Sequence, residues 1–205
     1  MKQLEQSAVE FLAALSSSAP APGGGGASAL TGALAAALGM MVSNLTIGKE
    51  KYAEHEEALI GLRAELEALR DKLVGLVDAD AEGFLPLARA YGIPKDDPSR
   101  ERVMEEALAT ACLAPFEMMT TAYAVLCALA ALVKKGSRLA VSDVGAGAVL
   151  AQAAIEAAAL NIRINTKSMQ DRARANQLNE RADTIIREGS AYKERIYLET
   201  LKVIG

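Results

Sequence analysis

The stretch of residues 59–91, LIGLRAELEALRDKLVGLVDADAEGFLPLARAY, decides the expected fold. Its seam positions recur at steps of three and four residues, which places them along one face of an α-helix. A helix of this length with an almost wholly apolar seam is typical of a bundle, where several neighbours cover it. The seam consists of Leu59, Leu62, Leu66, Leu69, Leu73, Leu76, Asp80, Phe84, Leu87 and Tyr91.

The rest of the chain predicts further helices separated by short breaks. Pro115 lacks a backbone N–H, so we expect a kink near residues 111–115. No repeat or interdomain linker is visible, and the connections are short. The sequence therefore predicts an all-α, antiparallel bundle of about six long helices in one domain spanning residues 1–205. The expected segments are Lys2–Ser17, Ala27–Ile47, Tyr52–Tyr91, Ser99–Lys135, Ser142–Asn165 and Gln170–Val203.

Composition narrows the possible partners and the compartment. The net charge is −4 and no basic block occurs, so we expect no nucleic-acid partner. Residues 25–48 carry no charge, but they are rich in small residues, which favours a central helix buried on all sides over a membrane span. Cys112 and Cys127 are isolated thiols, which indicates a reducing, cytoplasmic setting. One histidine and two distant cysteines predict no metal site.

Asp80 is the residue that breaks the seam of the long helix. A buried carboxylate without a partner is costly, so it should have a raised pKa or a strong partner. Such a group can act as a general acid or base. Two alternatives remain at this stage, since Asp80 could instead lie where the seam opens to solvent, or cap a neighbouring helix.

A run of four glycines precedes the second expected helix. Gly23, Gly24, Gly25 and Gly26, followed by Ser28, would expose backbone amides at the positive end of that helix. Such amides suit an anion or the polar edge of a ligand. The alternative is a flexible connector, because neither the spacing nor the lysine of a nucleotide P-loop is present.

Two polar pairs lie in the fifth expected helix. Asn161 and Asn165 are four residues apart, so they share a face, where they could bind a heterocycle edge or bridge two helices. Ser142 and Asp143 suit a helix N-cap and a first-turn acid, which is the favoured interpretation, and they could also belong to a ligand site. Both alternatives remain open for each pair.

Asn44, Lys49 and Lys51 surround Gly48 at the end of the second expected helix. Lysines in this position commonly complement the negative end of a helix. They could also bind a polyanionic tail of a ligand.

Several short motifs follow one another in an order that resembles a known family. They are SAPAPGGGG at 18–26, NLTIGKEKY at 44–52, DADAEGF at 78–84, SD at 142–143 and NIRIN at 161–165. In this combination the chain resembles the cyclodeaminase/cyclohydrolase family, and its length and the second motif are most similar to the stand-alone bacterial methenyltetrahydrofolate cyclohydrolases. Two departures occur: Val144 within the pattern SDVGA, and Ala27 between the glycines and Ser28.

The resemblance implies an all-helical homodimer that binds tetrahydrofolate derivatives without a metal or any cofactor beyond that substrate. It implies hydrolysis of 5,10-methenyltetrahydrofolate to 10-formyltetrahydrofolate, with formiminotetrahydrofolate cyclodeaminase as the alternative. A non-catalytic, folate- or protein-binding helical oligomer is a third alternative. Within the first reaction, Asp80 suits the role of base and charge stabiliser, and Asp143 is the competing candidate.

Helix lengths predict that these candidates form two separate groups. Asp143 and Asn161 are 18 residues apart, or about 27 Å along one helix, so they cannot both touch one reacting carbon. We expect a twofold dimer to bring one group of a protomer toward the other group of its partner. The first group is Gly23–Gly26, Ser28, Asp80, Phe84, Asn161 and Asn165, and the second is Asn44, Lys49, Lys51, Ser142 and Asp143.

Overall fold

The computed structural model describes residues 2–205, and over this range it contains helices and no strand. Short 3₁₀ turns at Glu50–His55 and Arg138–Ala140 precede two of the helices. The expected all-α class is therefore confirmed. The α-helices are α1 (Ala8–Leu15), α2 (Gly24–Asn44), α3 (Glu56–Tyr91), α4 (Arg100–Ala111), α5 (Leu113–Lys135), α6 (Val141–Ser168) and α7 (Arg172–Ile204).

Helices α3, α2, α6 and α7 form a curved layer that packs around α5. Small residues bring α2 close to its neighbours. A Cβ on Gly39 would lie 2.8 Å from Leu66 Cδ1 of α3 and 2.9 Å from Leu129 Cδ2 of α5. Gly24, the first residue of α2, lies beside Asn161, which is near the C-terminal end of α6. The two helices are therefore antiparallel.

The predicted seam of α3 forms part of the core. Leu59, Leu66 and Leu73 are fully buried, and Leu76 is 5% exposed. From Asp80 onward the seam is only partly covered, because Phe84 is 38% exposed and Tyr91 is 55% exposed, whereas Leu87 between them is 2% exposed. Asp80 lies at this transition.

The first helix is shorter than predicted. The Ser7 hydroxyl accepts a hydrogen bond from the backbone N–H of Glu10, while the Glu10 carboxylate accepts one from the backbone N–H of Ser7. This capping box starts α1 at Ala8 and leaves residues 2–6 outside any helix. The segment expected to begin at Lys2 is therefore corrected at its N-terminal end.

The predicted kink near Pro115 is a full break. Helix α4 ends at Ala111 and α5 begins at Leu113, with Cys112 between them. Pro115 occupies the first turn of α5, where a missing N–H costs no intrahelical hydrogen bond. One expected segment therefore becomes two helices.

Helix α2 is not buried on all sides, which corrects the prediction. Leu34 is 51% exposed, and Val149 on the adjacent part of α6 is 44% exposed. Helical periodicity places both outward, on the side away from α5. We call this surface the α2/α6 face; the exposed Glu156 borders it on the side of α7, and its own residues are the uncharged Leu30, Leu34, Leu38, Met41 and Leu45 of α2 and Ala146, Val149, Ala153, Leu160 and Ile164 of α6.

Three helical stretches are long and apolar enough to cross a membrane by length and composition alone: Gly24–Asn44, Arg100–Lys135 and Arg138–Ser168. In each, 50–56% of the most apolar window is buried inside the fold. Much of their apolar character is therefore used in contacts between helices.

Candidate active site

A cavity of about 210 Å³ lies where α2 begins, near the ends of α3 and α6 and beside the α4–α5 break. Five helices, α2 to α6, therefore contribute to its walls. The lining comprises Gln3, Pro20, Ala21, Pro22, Gly23–Gly26, Val77, Asp80, Ala81, Phe84, Ala111, Pro115, Asn161, Ile164 and Asn165.

Asp80 is the carboxylate of this cavity. It is half-buried against the start of α2, and a Cβ on Gly25 would overlap its carboxyl group. Burial raises the pKa of Asp80 above its ordinary value of 3.8. No Lys, Arg or His forms an ion pair with Asp80 in the part of the chain that the structure describes. Its surroundings are those of a proton acceptor or of a counter-charge for a cationic ligand.

The two asparagines of α6 also line the cavity. Asn161 donates a hydrogen bond from Nδ2 to the Ala157 carbonyl of its own helix, at 3.1 Å. Asn165 donates from Nδ2 to the Ala111 carbonyl at the end of α4, at 3.2 Å. Asn165 thus bridges two helices, which was the structural alternative, and its position in the lining still lets it contact a ligand.

Ser28 is the one member of the first group that the structure does not bring into the cavity lining. It is 2% exposed and donates a hydrogen bond to the Gly24 carbonyl at 2.6 Å. This bond satisfies its hydroxyl within α2. A substrate-binding role for Ser28 stays a prediction.

The second group lies at the opposite end of the bundle. The Thr46 hydroxyl accepts a hydrogen bond from Ser137 N at 2.9 Å, and the Tyr52 hydroxyl accepts one from Arg138 N at 3.2 Å. These bonds join the loop after α2 to the loop before α6. They place Asn44, Lys49 and Lys51 on the same end as Ser142 and Asp143, about 30 Å from the cavity along α2.

The side chains of the second group face solvent to different degrees. Asn44, Lys49, Lys51 and Ser142 are exposed, and Asp143 is half-buried in the first turn of α6. The separation of the two groups within one chain agrees with the sequence-based estimate. Their meeting across a dimer stays a prediction.

Sequence reasoning missed several residues of the cavity. Pro20 and Pro22 belong to the quoted motif before the glycines, so a signal existed for them. Gln3 had no such signal, because it lies in a segment expected to be helical. Ala111 and Pro115 line the cavity because the helix breaks between them.

Among residues 2–205, no three His, Cys, Asp or Glu side chains lie close enough to hold one ion. Cys112 is buried and Cys127 half-buried, and both are free thiols. Burial raises the pKa of the Cys112 thiol to about 11, so this group stays protonated at neutral pH.

A helical bundle that places a half-buried carboxylate beside a glycine-rich helix start defines a class of protein suited to proton transfer at a cationic or polar ligand. The family model described as formiminotransferase-cyclodeaminase matches residues 7–184. The chain belongs to this family, which confirms the resemblance seen in the motifs.

The relatives include proteins of two kinds. The chain is 40% identical over 196 residues to methenyltetrahydrofolate cyclohydrolase of Methylorubrum extorquens, covering 94% of each chain. It is 32% identical over 165 residues to formimidoyltransferase-cyclodeaminase of Gallus gallus, covering 78% of this chain and 30% of that protein. The match to the second kind therefore spans only about a third of a longer protein.

A solved structure has the same fold. The crystal structure of formiminotetrahydrofolate cyclodeaminase from Thermotoga maritima superposes with a TM-score of 0.81 and 27% sequence identity. The match covers 97% of this chain and 95% of that chain.

Proposed function

We propose that this chain hydrolyses 5,10-methenyltetrahydrofolate to 10-formyltetrahydrofolate, and that the reaction takes place in the Asp80 cavity. The observation that carries the site is Asp80 itself, a carboxylate with a raised pKa and no cationic partner among the described residues. The methenyl bridge is a cationic carbon between two nitrogens, so a carboxylate nearby stabilises it. The relative from Methylorubrum extorquens supports the choice of reaction.

The reaction needs a base that accepts a proton from water and an acid that later protonates N5. Water adds to the cationic carbon while Asp80 accepts a proton from it, giving a neutral carbinol. The bond between this carbon and N5 then breaks as N5 takes up the proton that Asp80 held, while the carbinol hydroxyl loses its own proton to solvent and becomes the formyl oxygen on N10. The balance is one water consumed and one proton released. Asp143 is the competing base, and its position at the far end of α6 makes it the weaker candidate within one protomer.

The remaining cavity residues would bind the ring system. Gly23, Gly24, Gly25 and Gly26 lie at the start of α2, where free backbone N–H groups suit polar ring atoms. Asn161 and Asn165 each keep a carboxamide oxygen that no recorded hydrogen bond uses. Phe84 offers a partly exposed ring for stacking.

The same proposal includes a homodimer through the α2/α6 face. The residues of that face are uncharged, and they span about 22 Å along α2, about 27 Å along α6 and about 20 Å across the two helices. These dimensions correspond to about 500 Å² per protomer, or about 1,000 Å² in total, which is the lower limit for a biological interface. The occupant that fits a long, apolar face of this kind is a second copy of the same face, related by a twofold axis.

Such an axis would bring the cavity of one protomer toward Asn44, Lys49, Lys51, Ser142 and Asp143 of the partner. Ile164 supports this arrangement, because it lines the cavity and also belongs to the α2/α6 face with 64% exposure. A folate could then place its bridge near Asp80 and its glutamate tail on the two lysines. We also expect a cytoplasmic protein that uses no metal and no cofactor beyond its substrate, and that has neither a membrane nor a nucleic acid as partner.

The reaction is tested by offering two substrates to the purified protein. We expect loss of 5,10-methenyltetrahydrofolate to exceed the uncatalysed rate by orders of magnitude, and ammonia release from formiminotetrahydrofolate to be far slower. Ammonia release as the faster reaction would establish the cyclodeaminase instead. Binding of folate or a protein without turnover of either substrate would leave the non-catalytic alternative.

The dimer is tested with Leu34→Lys. A charge in the middle of the α2/α6 face cannot be buried without a partner, so we expect the variant to sediment as a 21.5 kDa chain while the wild type has twice that mass. Turnover should fall with the loss of the dimer. Ile60→Lys is the matched control, because Ile60 is 47% exposed on α3, outside this face. A wild-type monomer, or a dimeric and fully active Leu34→Lys variant, contradicts the proposal.

A further inference from the structure

The segment before α1 is fastened along α3 next to the cavity. The backbone N–H of Gln3 donates a hydrogen bond to Asp78 Oδ1 at 2.9 Å, across 75 residues of sequence. The capping box of Ser7 and Glu10 prevents these residues from continuing α1 as a helix. The chain start therefore forms part of the cavity wall.

The side chain of Gln3 lines the cavity from this wall. Its Oε1 atom is buried and accepts no hydrogen bond from any residue that the structure describes. It lies 3.7 Å from the position that a Cβ on Gly26 would occupy. A buried acceptor without a donor is unfavourable, and such groups in native sites are commonly satisfied by a ligand or by water.

The side chains of Gln3 and Asp80 approach α2 at two consecutive residues. Asp80 contacts Gly25 and Gln3 approaches Gly26, so the two oxygen acceptors are within one turn of the same helix. A ligand that fills this corner meets acceptors on two sides. The ligand must therefore present hydrogen-bond donors to the Gln3 amide oxygen, and it can present a cation to the Asp80 carboxylate.

We propose that Gln3 is a positioning residue for substrate, whose Oε1 accepts a hydrogen bond from the donor edge of the pteridine, its 2-amino group and N3–H. The inference rests on the proposed function, since it takes a tetrahydrofolate as the ligand. With its donor edge bound to Gln3, the ring is held by a group other than Asp80. The carboxylate then remains available to the cationic bridge.

The first test compares the steady-state kinetics of Gln3→Met with those of the wild type. Methionine has a similar length and volume but no oxygen, so we expect KM to rise about tenfold with kcat within about twofold, as for one lost hydrogen bond. Gln3→Glu, which keeps the acceptor, should retain more of the affinity than Gln3→Met. Gln6→Met is the matched control, because Gln6 belongs to the same segment and does not line the cavity.

A second readout separates recognition from a purely structural role. Calorimetry with tetrahydrofolate and its 2-desamino-2-methyl analogue should show the wild type binding the analogue about tenfold more weakly, and Gln3→Met binding the two alike. Equal preference in both proteins, or an unchanged KM, overturns the assignment of Gln3 while turnover by the wild type keeps the proposed function. A wild type that neither turns over nor binds a tetrahydrofolate overturns both.

Discussion

Replacing Asp80 with asparagine is expected to lower kcat for methenyl hydrolysis by about 10²–10⁴-fold, the range that a positioned general base contributes. Asparagine has nearly the same shape but cannot accept the proton or carry the negative charge. The measurement is steady-state turnover of the variant beside the wild type. Glu82→Gln is the control, because it removes a carboxylate from the exposed side of the same helix.

The pH dependence provides a second reading of the same residue. The base works only when ionised, so kcat/KM should rise with pH through the pKa of Asp80, which burial places above 3.8. A bound cation favours the ionised form, so the corresponding limb of kcat should lie at lower pH than that of kcat/KM. An acid limb that remains in Asp80→Asn would assign it to another group.

The stability of the Asp80→Asn variant shows whether a loss of turnover reflects a lost catalytic group or an unfolded protein. Because the pKa of Asp80 is raised by folding, its contribution to the free energy of unfolding is present at low pH and lost as the pH rises through the folded-state value. At neutral pH the asparagine variant should therefore unfold at the same denaturant concentration as the wild type, or a higher one. If Asp143→Asn abolishes turnover and Asp80→Asn does not, the base has been assigned to the wrong carboxylate.

Replacing Gly25 with alanine is expected to reduce turnover by about 10²-fold, because a displacement of about 1 Å in a catalytic group has effects of this size. The new methyl group would overlap the Asp80 carboxyl group. Either the carboxyl group rotates away from the bridge, or α2 and α3 separate locally. Turnover and circular dichroism measured together distinguish a shifted carboxylate from an unfolded chain.

Gly61→Ala is the matched control for this substitution. Gly61 also lies within a helix, and a Cβ there meets nothing within 4 Å. Alanine at such a position should leave turnover unchanged and stabilise the protein by about 0.5–1 kcal/mol. A fully active Gly25→Ala protein would show that the close approach of Gly25 to Asp80 has no catalytic consequence.

The fold was predictable because its signals are local and periodic. The seam of α3 and the helix-breaking stretches around it define most of the bundle. The sequence-based predictions were wrong where a capping interaction set the start of a helix, or where packing between helices set the burial of one. Ser7 and Glu10 start α1 late, and an uncharged α2 keeps one apolar side open, which composition alone does not distinguish from burial on all sides.

The candidate site was predictable only in part. Asp80 was found because a carboxylate on an apolar seam is a conspicuous exception. The division of the candidates into two ends followed from helix rise alone. Gln3 could not be found this way, because its place in the cavity depends on the Asp78 hydrogen bond across 75 residues, which leaves no periodic trace in the sequence.

The most direct measurement is the loss of 5,10-methenyltetrahydrofolate with purified wild-type protein and the Asp80→Asn variant, assayed in parallel at the same concentration and pH. We predict rapid loss with 10-formyltetrahydrofolate as the product for the wild type, and a rate lower by at least about 10²-fold for the variant. Equal rates for the two proteins, or a wild type no faster than the uncatalysed reaction, would contradict the proposed function of the Asp80 cavity.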